Sequence, residues 1–216
     1  MGIRGLSSYI QNRSSKCLKD HELQNCNVVI DGNNLVHFSF LSCPRQNACF
    51  GGDYNQYYDH VKDIFRLMKS CQINPIVVFD GGLDVGNRKY RTRLYRAKQK
   101  LIASIKVKPS NQHRMSVLPL LVRTVFIAVL KELKIQVVQC QFEADLDIAA
   151  LARGLNCPVI SNDSDFFVMD VLVVPLSSLD LCGATKNGDG KAIRCKLFKM
   201  EDFLRRYIIN FKCQKH

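Results

Sequence analysis

Six carboxylates are the residues of this chain best suited to chemistry, and their placement matters more than their number. Val28-Val-Ile-Asp31-Gly and Val77-Val-Phe-Asp80-Gly are apolar runs that each end in Asp-Gly. Phe142-Glu143-Ala-Asp145 and Ser161-Asn-Asp163-Ser-Asp165 follow two further runs of the same kind. In an open α/β sheet, ligands collect beyond the carboxyl ends of the strands. Asp31, Asp80, Glu143, Asp145, Asp163 and Asp165 are therefore expected on one rim. Side by side they would repel one another and hold protons more tightly unless a cation lay between them. Hard divalent ions, Mg²⁺ or Mn²⁺, take oxygen ligands and need no His or Cys. Two such ions about 3.5–4 Å apart activate water and stabilise the leaving oxygen in phosphodiester hydrolysis. Taken singly, an Asp before Gly also serves as a turn or helix N-cap residue. Glu143 at a helix start likewise suits the helix dipole. Four strand ends acting together favour the metal. Asp147, one turn beyond Glu143, reads as a solvent-facing helix residue.

Those acids require a sheet to carry them. β-branched runs at 26–31, 75–80, 135–140 and 158–161 predict four strands. Tyr57, Val61, Ile64, Phe65 and Met68 fall at helical spacing, as do Leu121, Val125, Ala128 and Val129, and a third helix is expected over 144–155. Strands that are nearly continuous apolar runs, alternating with helices, indicate an α/β fold with a parallel central sheet covered on both faces. The runs at 171–174 and 192–198 flank a Gly/Asn/Asp-rich turn at 186–190 and read as a β excursion, and 200–209 as a closing helix.

The 216 residues carry a formal net charge of +12, unevenly spread. Residues 1–84 balance at 8 basic and 8 acidic, whereas 85–131 hold 12 basic side chains and no acid. Residues 132–185 carry 2 basic and 8 acidic groups, and 186–216 carry 9 basic and 3 acidic. Solvated helices generally mix signs, so an acid-free basic stretch points to a phosphate polymer. The acidic stretch points to divalent cations. A hydrophobic content of 47% excludes intrinsic disorder. The most apolar helical stretch, 119–133, is broken by Arg123, Lys131 and Glu132, so no membrane partner is expected. The first twenty residues hold no apolar core of a signal peptide. Ten cysteines without a CxxC pair then read as reduced thiols, and neither Cys17/His21/Cys26 nor Cys43/Cys49 has zinc-finger spacing.

The ordered set Met1-Gly-Ile-Arg-Gly-Leu6, Val29-Ile-Asp31-Gly, Phe79-Asp80-Gly, Glu143-Ala-Asp145 and Asn162-Asp163-Ser-Asp165 resembles the flap endonuclease (XPG-type) superfamily of PIN-like nucleases. Gly51-Gly-Asp-Tyr54, Val78-Phe-Asp-Gly-Gly82, Glu143-Ala-Asp-Leu-Asp147 and Cys157-Pro-Val-Ile-Ser-Asn-Asp-Ser-Asp-Phe166 are similar to the phrases of its Asteroid branch. The resemblance implies one XPG/PIN-like domain over 1–216. It consists of an N-terminal region (1–82), a basic helical arch insertion (83–117) and an internal region (118–216). Family members continue into a further acid and a helix–hairpin–helix element, and the chain ends at His216 before either.

The same resemblance implies a structure-specific endonuclease of DNA repair that cuts single-stranded, flap or overhang DNA by a two-metal mechanism. Asp31, Asp80, Glu143 and Asp145 would match the acids around one ion. Asp163 and Asp165 would match those around the second, with Asp145 near both. Gly2 would lie near the scissile end of the substrate, and His37 stands where the family places an aromatic that stacks on the terminal base. Arg88, Lys89, Arg91, Arg93, Arg96, Lys98 and Lys100 would contact phosphates, with Tyr90 and Tyr95 available for stacking. Leu94 and Tyr95 could instead pack the helix onto the core. A DNA substrate points to the nucleus, and a monomer is expected. Two alternatives stand beside this reading: a non-catalytic nucleic-acid-binding or adaptor protein of the same fold, and a PIN-type ribonuclease using the same acids.

Overall fold

In the computed structural model, residues 5–12, 17–44, 48–49, 52–82, 90–111, 117–187 and 190–205 are described. In chain order they form α1 (Leu6–Asn12), β1 (Leu18–Leu23), β2 (Asn27–Asp31), α2 (Gly32–Ser42), α3 (Tyr54–Ser70) and β3 (Asn74–Phe79). After these come α4 (Tyr90–Ile105), α5 (Val122–Glu132), β4 (Gln136–Gln139), α6 (Asp145–Gly154), β5 (Val159–Ile160), β6 (Val173–Val174), β7 (Thr185–Asn187) and β8 (Gly190–Phe198).

The sheet runs β1-β8-β6-β5-β2-β3-β4. Its centre is parallel: β6 pairs β5, β5 pairs β2, β2 pairs β3 and β3 pairs β4, all in the same direction. At the other end β8 turns antiparallel to both β6 and β1. The tail strands therefore extend the main sheet rather than forming a separate excursion. Pleating divides β2 between two cores. Val28 and Ile30 enter a cluster with Tyr57, Val61 and Phe65 of α3, while Val29 enters one with Ile148 and Ala149 of α6. All three are fully buried, which is why the run carries no polar alternation.

The expected stripe on α3 is present: Tyr57, Val61, Ile64, Phe65 and Met68 are buried. Asp53 caps the helix, its Oδ1 accepting from the Asn55 amide at 3.1 Å. On α5 the buried stripe is Val122, Phe126, Val129 and Leu130, turned by one residue from the expected one. Phe126 sets that face by meeting both Phe65 and Phe79 edge-on, with ring centroids 5.8 and 6.2 Å apart. The third expected strand also differs, because β4 lies at the sheet's end and all four of its residues are exposed. Four elements lie outside those expected from the sequence: α1, β1, α2 and β7. β1 (LKDHEL) lacks the β-branched signature and takes its form from pairing with β8. α2 begins Gly-Asn-Asn, which reads locally as a turn.

Candidate functional site

The parallel register sets the level of the site. Asp31 pairs with Val78 of β3, and Ile30 with Ile160 of β5. Ser161 therefore stands beside Asp31, while Asp80 and Asp163 lie two residues further along their chains. Asp31 forms the floor, only 9% exposed. It also caps α2: its Oδ1 accepts from the Asn34 amide at 3.0 Å, and its Oδ2 accepts from the Ser161 hydroxyl at 3.0 Å.

Backbone contacts bring Asp80 and the β4–α6 turn together. The Gly81 amide donates to the Phe142 carbonyl at 2.7 Å and the Gly82 amide to the Gln141 carbonyl at 2.9 Å. A Cβ at residue 81 would lie 1.9 Å from the Cys140 carbonyl oxygen, so only glycine permits this approach. Asp80 Oδ1 accepts from the Ala144 amide at 2.9 Å, fixing the turn that carries Glu143 and Asp145. Asp163 caps a short 3-10 helix (Ser164–Val168), its Oδ1 accepting from the Asp165 amide at 3.1 Å. The Asp163 amide donates in turn to the Ser161 hydroxyl at 3.0 Å.

These contacts draw the four strand ends together. One oxygen each from Asp145, Asp163 and Asp165 lies within 4.8 Å of the others, a donor set that suits a hard divalent cation. Asp31, Asp80, Glu143, Asp145 and Asp163 line one cleft of about 540 Å³. Burial pushes the Asp31 carboxyl up, opposed by the hydrogen bonds from Asn34 and Ser161, with Asp80 and Asp163 adding repulsion. Burial, followed by repulsion from Asp163, Asp31, Asp80 and Glu143, raises Asp145 to about 6. Such crowding is what a bound cation relieves. Asp147 is exposed, as its helical position suggests, and stands beside the Cys140 thiol.

The basic segment supplies the facing wall, but only in part. Thr92 and Arg96 of α4 line the cleft together with His37 and Phe38 of α2. Lys100, one turn beyond Arg96, lies close enough to His37 that its charge adds to burial in lowering the imidazole pKa. Arg91 and Lys98 are exposed and line no part of the cleft. Leu94 and Tyr95 are 60% and 64% exposed, so they do not pack the helix onto the core. Gly2, Arg88 and Lys89 lie outside the described residues, as does the side chain of Arg93. Among the described residues no helix is long and apolar enough to cross a membrane, and the nine described cysteines are free thiols.

Sequence reasoning missed the polar residues that hold the acids. Ser161 is fully buried between Asp31 and Asp163. Asn34 Oδ1 accepts from the Asn162 amide at 3.3 Å, and Asn162 Oδ1 accepts from the Ser177 amide at 3.0 Å. A polar triplet in the run Ile-Ser161-Asn-Asp directly after a strand was the available signal.

Residues 1–101 match the XPG N-terminal domain. Protein asteroid of Drosophila melanogaster is 40% identical over 186 residues, covering 86% of this chain and 21% of its own. The chain belongs to the Asteroid family. The human relative named single-strand DNA endonuclease ASTE1 is 38% identical over 212 residues, 96% of this chain and 30% of that protein. This Asteroid-family chain thus spans between about one fifth and one third of the length of these curated relatives. Among solved structures, the catalytic core of Rad2 in complex with DNA substrate aligns with a TM-score of 0.55 at 14% identity, covering 92% of this chain and 55% of that one. Human GEN1 in complex with Holliday junction DNA aligns with a TM-score of 0.54 at 13% identity, covering 95% and 46%. These likenesses establish the XPG-type nuclease fold for the Asteroid-family chain.

Proposed function

We propose that this chain is the nuclease domain of a metal-dependent endonuclease that hydrolyses phosphodiester bonds in single-stranded DNA, or in the single-stranded part of a flap or overhang. The observation that carries this reading is the convergence of acids from four strand ends on one cleft whose opposite wall bears Arg96. The name of the human relative, a single-strand DNA endonuclease, supports the same substrate. The domain would run through 1–216, with 83–117 as an arch over the cleft, acting in the nucleus in DNA repair.

Asp31, Asp80, Glu143 and Asp145 are the ligands we assign to one Mg²⁺ or Mn²⁺ ion, and Asp163 and Asp165, with Asp145 shared, to a second. Two such ions supply an activated water and charge stabilisation for the leaving oxygen. The protein's own part is orientation. Asn34 and Ser161 hold Asp31 from both oxygens before any substrate arrives. Asp80 is aimed by the Ala144 amide. Arg96 and Lys100 are the phosphate contacts we assign on the arch side, with His37 offering a flat imidazole to a base; Gly2, Arg88, Lys89 and Arg93 are assigned as further nucleic-acid contacts from the sequence, and Arg91 and Lys98 as peripheral ones. Without cations the acids would repel the phosphates they face.

The test is cleavage of labelled single-stranded DNA, flap DNA and single-stranded RNA in Mg²⁺ or Mn²⁺, wild type beside Asp80→Ala. Metal-dependent DNA cutting that the variant loses supports the reading. RNA cut in preference to DNA replaces it with a ribonuclease. Binding by a folded protein without any cutting replaces it with an adaptor.

A further inference from the structure

The central sheet ends differently on its two sides. At one edge β1 presents Lys19, Asp20, His21 and Glu22, all exposed, and charged side chains of this kind discourage a further strand. At the other edge β4 carries no charge and no proline, and its Val137 and Val138 are 37% and 36% exposed. Pairing on the inner side fixes what points outward. The Cys140 amide donates to the Phe79 carbonyl at 2.9 Å, so residues 136, 138 and 140 bond to β3. The amides and carbonyls of Val137 and Gln139 therefore point away from the sheet, and among the described residues no strand receives them. Charge is polarised along the same edge. Lys131 and Lys134, both exposed, precede β4, and Glu132 between them is engaged by Lys62 and Tyr58. Past the other end of β4, exposed Asp147 stands beside the Cys140 thiol. A parallel neighbour of the same sequence would set like ends together, whereas an antiparallel one brings Lys134 towards Asp147.

We propose that β4 pairs antiparallel with β4 of a second copy of this chain, about a two-fold axis through Val138, so that the two sheets become one in place of the monomer expected from the sequence. In that register Val137 lies opposite the partner's Gln139 and the two exchange both backbone hydrogen bonds, which uses every outward group of the strand. Val138 meets its own copy across the axis, and each Lys134 faces the acidic end of its partner. The contact is small, so the association belongs to the weak, concentration-dependent class. None of the β4 residues lines the acidic cleft, and the inference stands apart from the nuclease reading.

The experiment is sedimentation velocity of the full chain over a wide range of concentration, in chelator so that no ion bridges two acidic clefts. Wild type should pass from one chain to two as concentration rises. Val138→Lys sets like charges on the axis and should weaken dimerisation about tenfold, with its urea melt close to that of wild type. Lys134→Glu should weaken dimerisation about threefold, and adding Asp147→Lys to it should restore the loss. These charge variants decide the matter even if Val138→Lys fails to fold. A wild type that stays monomeric throughout leaves the edge to a strand of other origin and overturns the proposal. A folded Val138→Lys that dimerises as wild type does, or a double variant no better than Lys134→Glu, overturns it as well.

Discussion

The Ser161 hydroxyl donates to Asp31 Oδ2 at 3.0 Å from a position with no solvent exposure. The Ser161 Oγ in turn accepts from the Asp163 amide at 3.0 Å, so one side chain ties Asp31 beyond β2 to Asp163 beyond β5. Ser161→Ala removes a donor from a buried carboxylate and an acceptor from a backbone amide. Stability should fall by about 1–3 kcal/mol, and divalent cations should protect the variant less against heat. Urea denaturation in chelator reads the first effect, and the melting shift on titrating Mn²⁺ reads the second. A variant with unchanged Mn²⁺ dependence would show that Ser161 supports the fold but not the arrangement of acids.

The raised pKa of Asp145 has a definite sign. Its folded value of about 6 lies above the ordinary 3.8, so the native state holds the proton over that interval while the unfolded state releases it. Metal-free protein should therefore lose stability as pH rises from about 4 to about 6. Asp145→Asn cannot titrate, so its stability relative to wild type should improve across that window. Urea melts in chelator at several pH values provide the comparison. Added Mg²⁺ should then restore wild type at pH 7 and leave the variant largely unaffected.

The two faces of α4 should separate in their response to salt. Neutralising Arg96 and Lys100 would remove the two phosphate contacts proposed for this face, and the slope of log affinity against log salt for single-stranded DNA should shrink by about 1.4. Neutralising Arg91 and Lys98, which line no part of the cleft, should change the slope much less. Equal changes for both pairs would mean that the whole helix, and not its inward face, meets the strand.

Gly81→Ala brings a methyl group against the Cys140 carbonyl, and the β3 and β4 ends must separate to admit it. We expect a loss of about 1–3 kcal/mol, the usual scale for overpacking. Divalent affinity should weaken as well, because the Asp80–Ala144 contact depends on the same approach. Denaturation and metal titration on one preparation test both effects.

Residues whose function is written in their own type were legible in the sequence. The β-branched runs of β2 and β3, the apolar stripe of α3 and the acids beyond each strand announce themselves through composition and spacing. What stayed hidden depends on partners distant in sequence. β1 is polar and extended only because β8 lies beside it. The orientation of α5 follows from three phenylalanines that meet across the fold. Ser161 and Asn34 matter through the register that sets Ile30 opposite Ile160. For the arch, charge identified a basic segment, and helix geometry alone divides Arg96 and Lys100 from Arg91 and Lys98.

The acids of the cleft and of the cluster beside it are drawn from Asp31 through Asp165, well over half the length of the chain. An ion held by Asp31, Asp80, Glu143 and Asp145 would therefore bind only when β2, β3, β4 and α6 are all in place, and one held by Asp145, Asp163 and Asp165 only when α6 and β5 are. Cation binding is then linked to global folding: free ion at a hundred times its dissociation constant stabilises the native state by about 2.7 kcal/mol. On the metal-binding reading proposed above, divalent ion concentration would set how long this chain survives proteolysis, independent of whether it ever meets a nucleic acid.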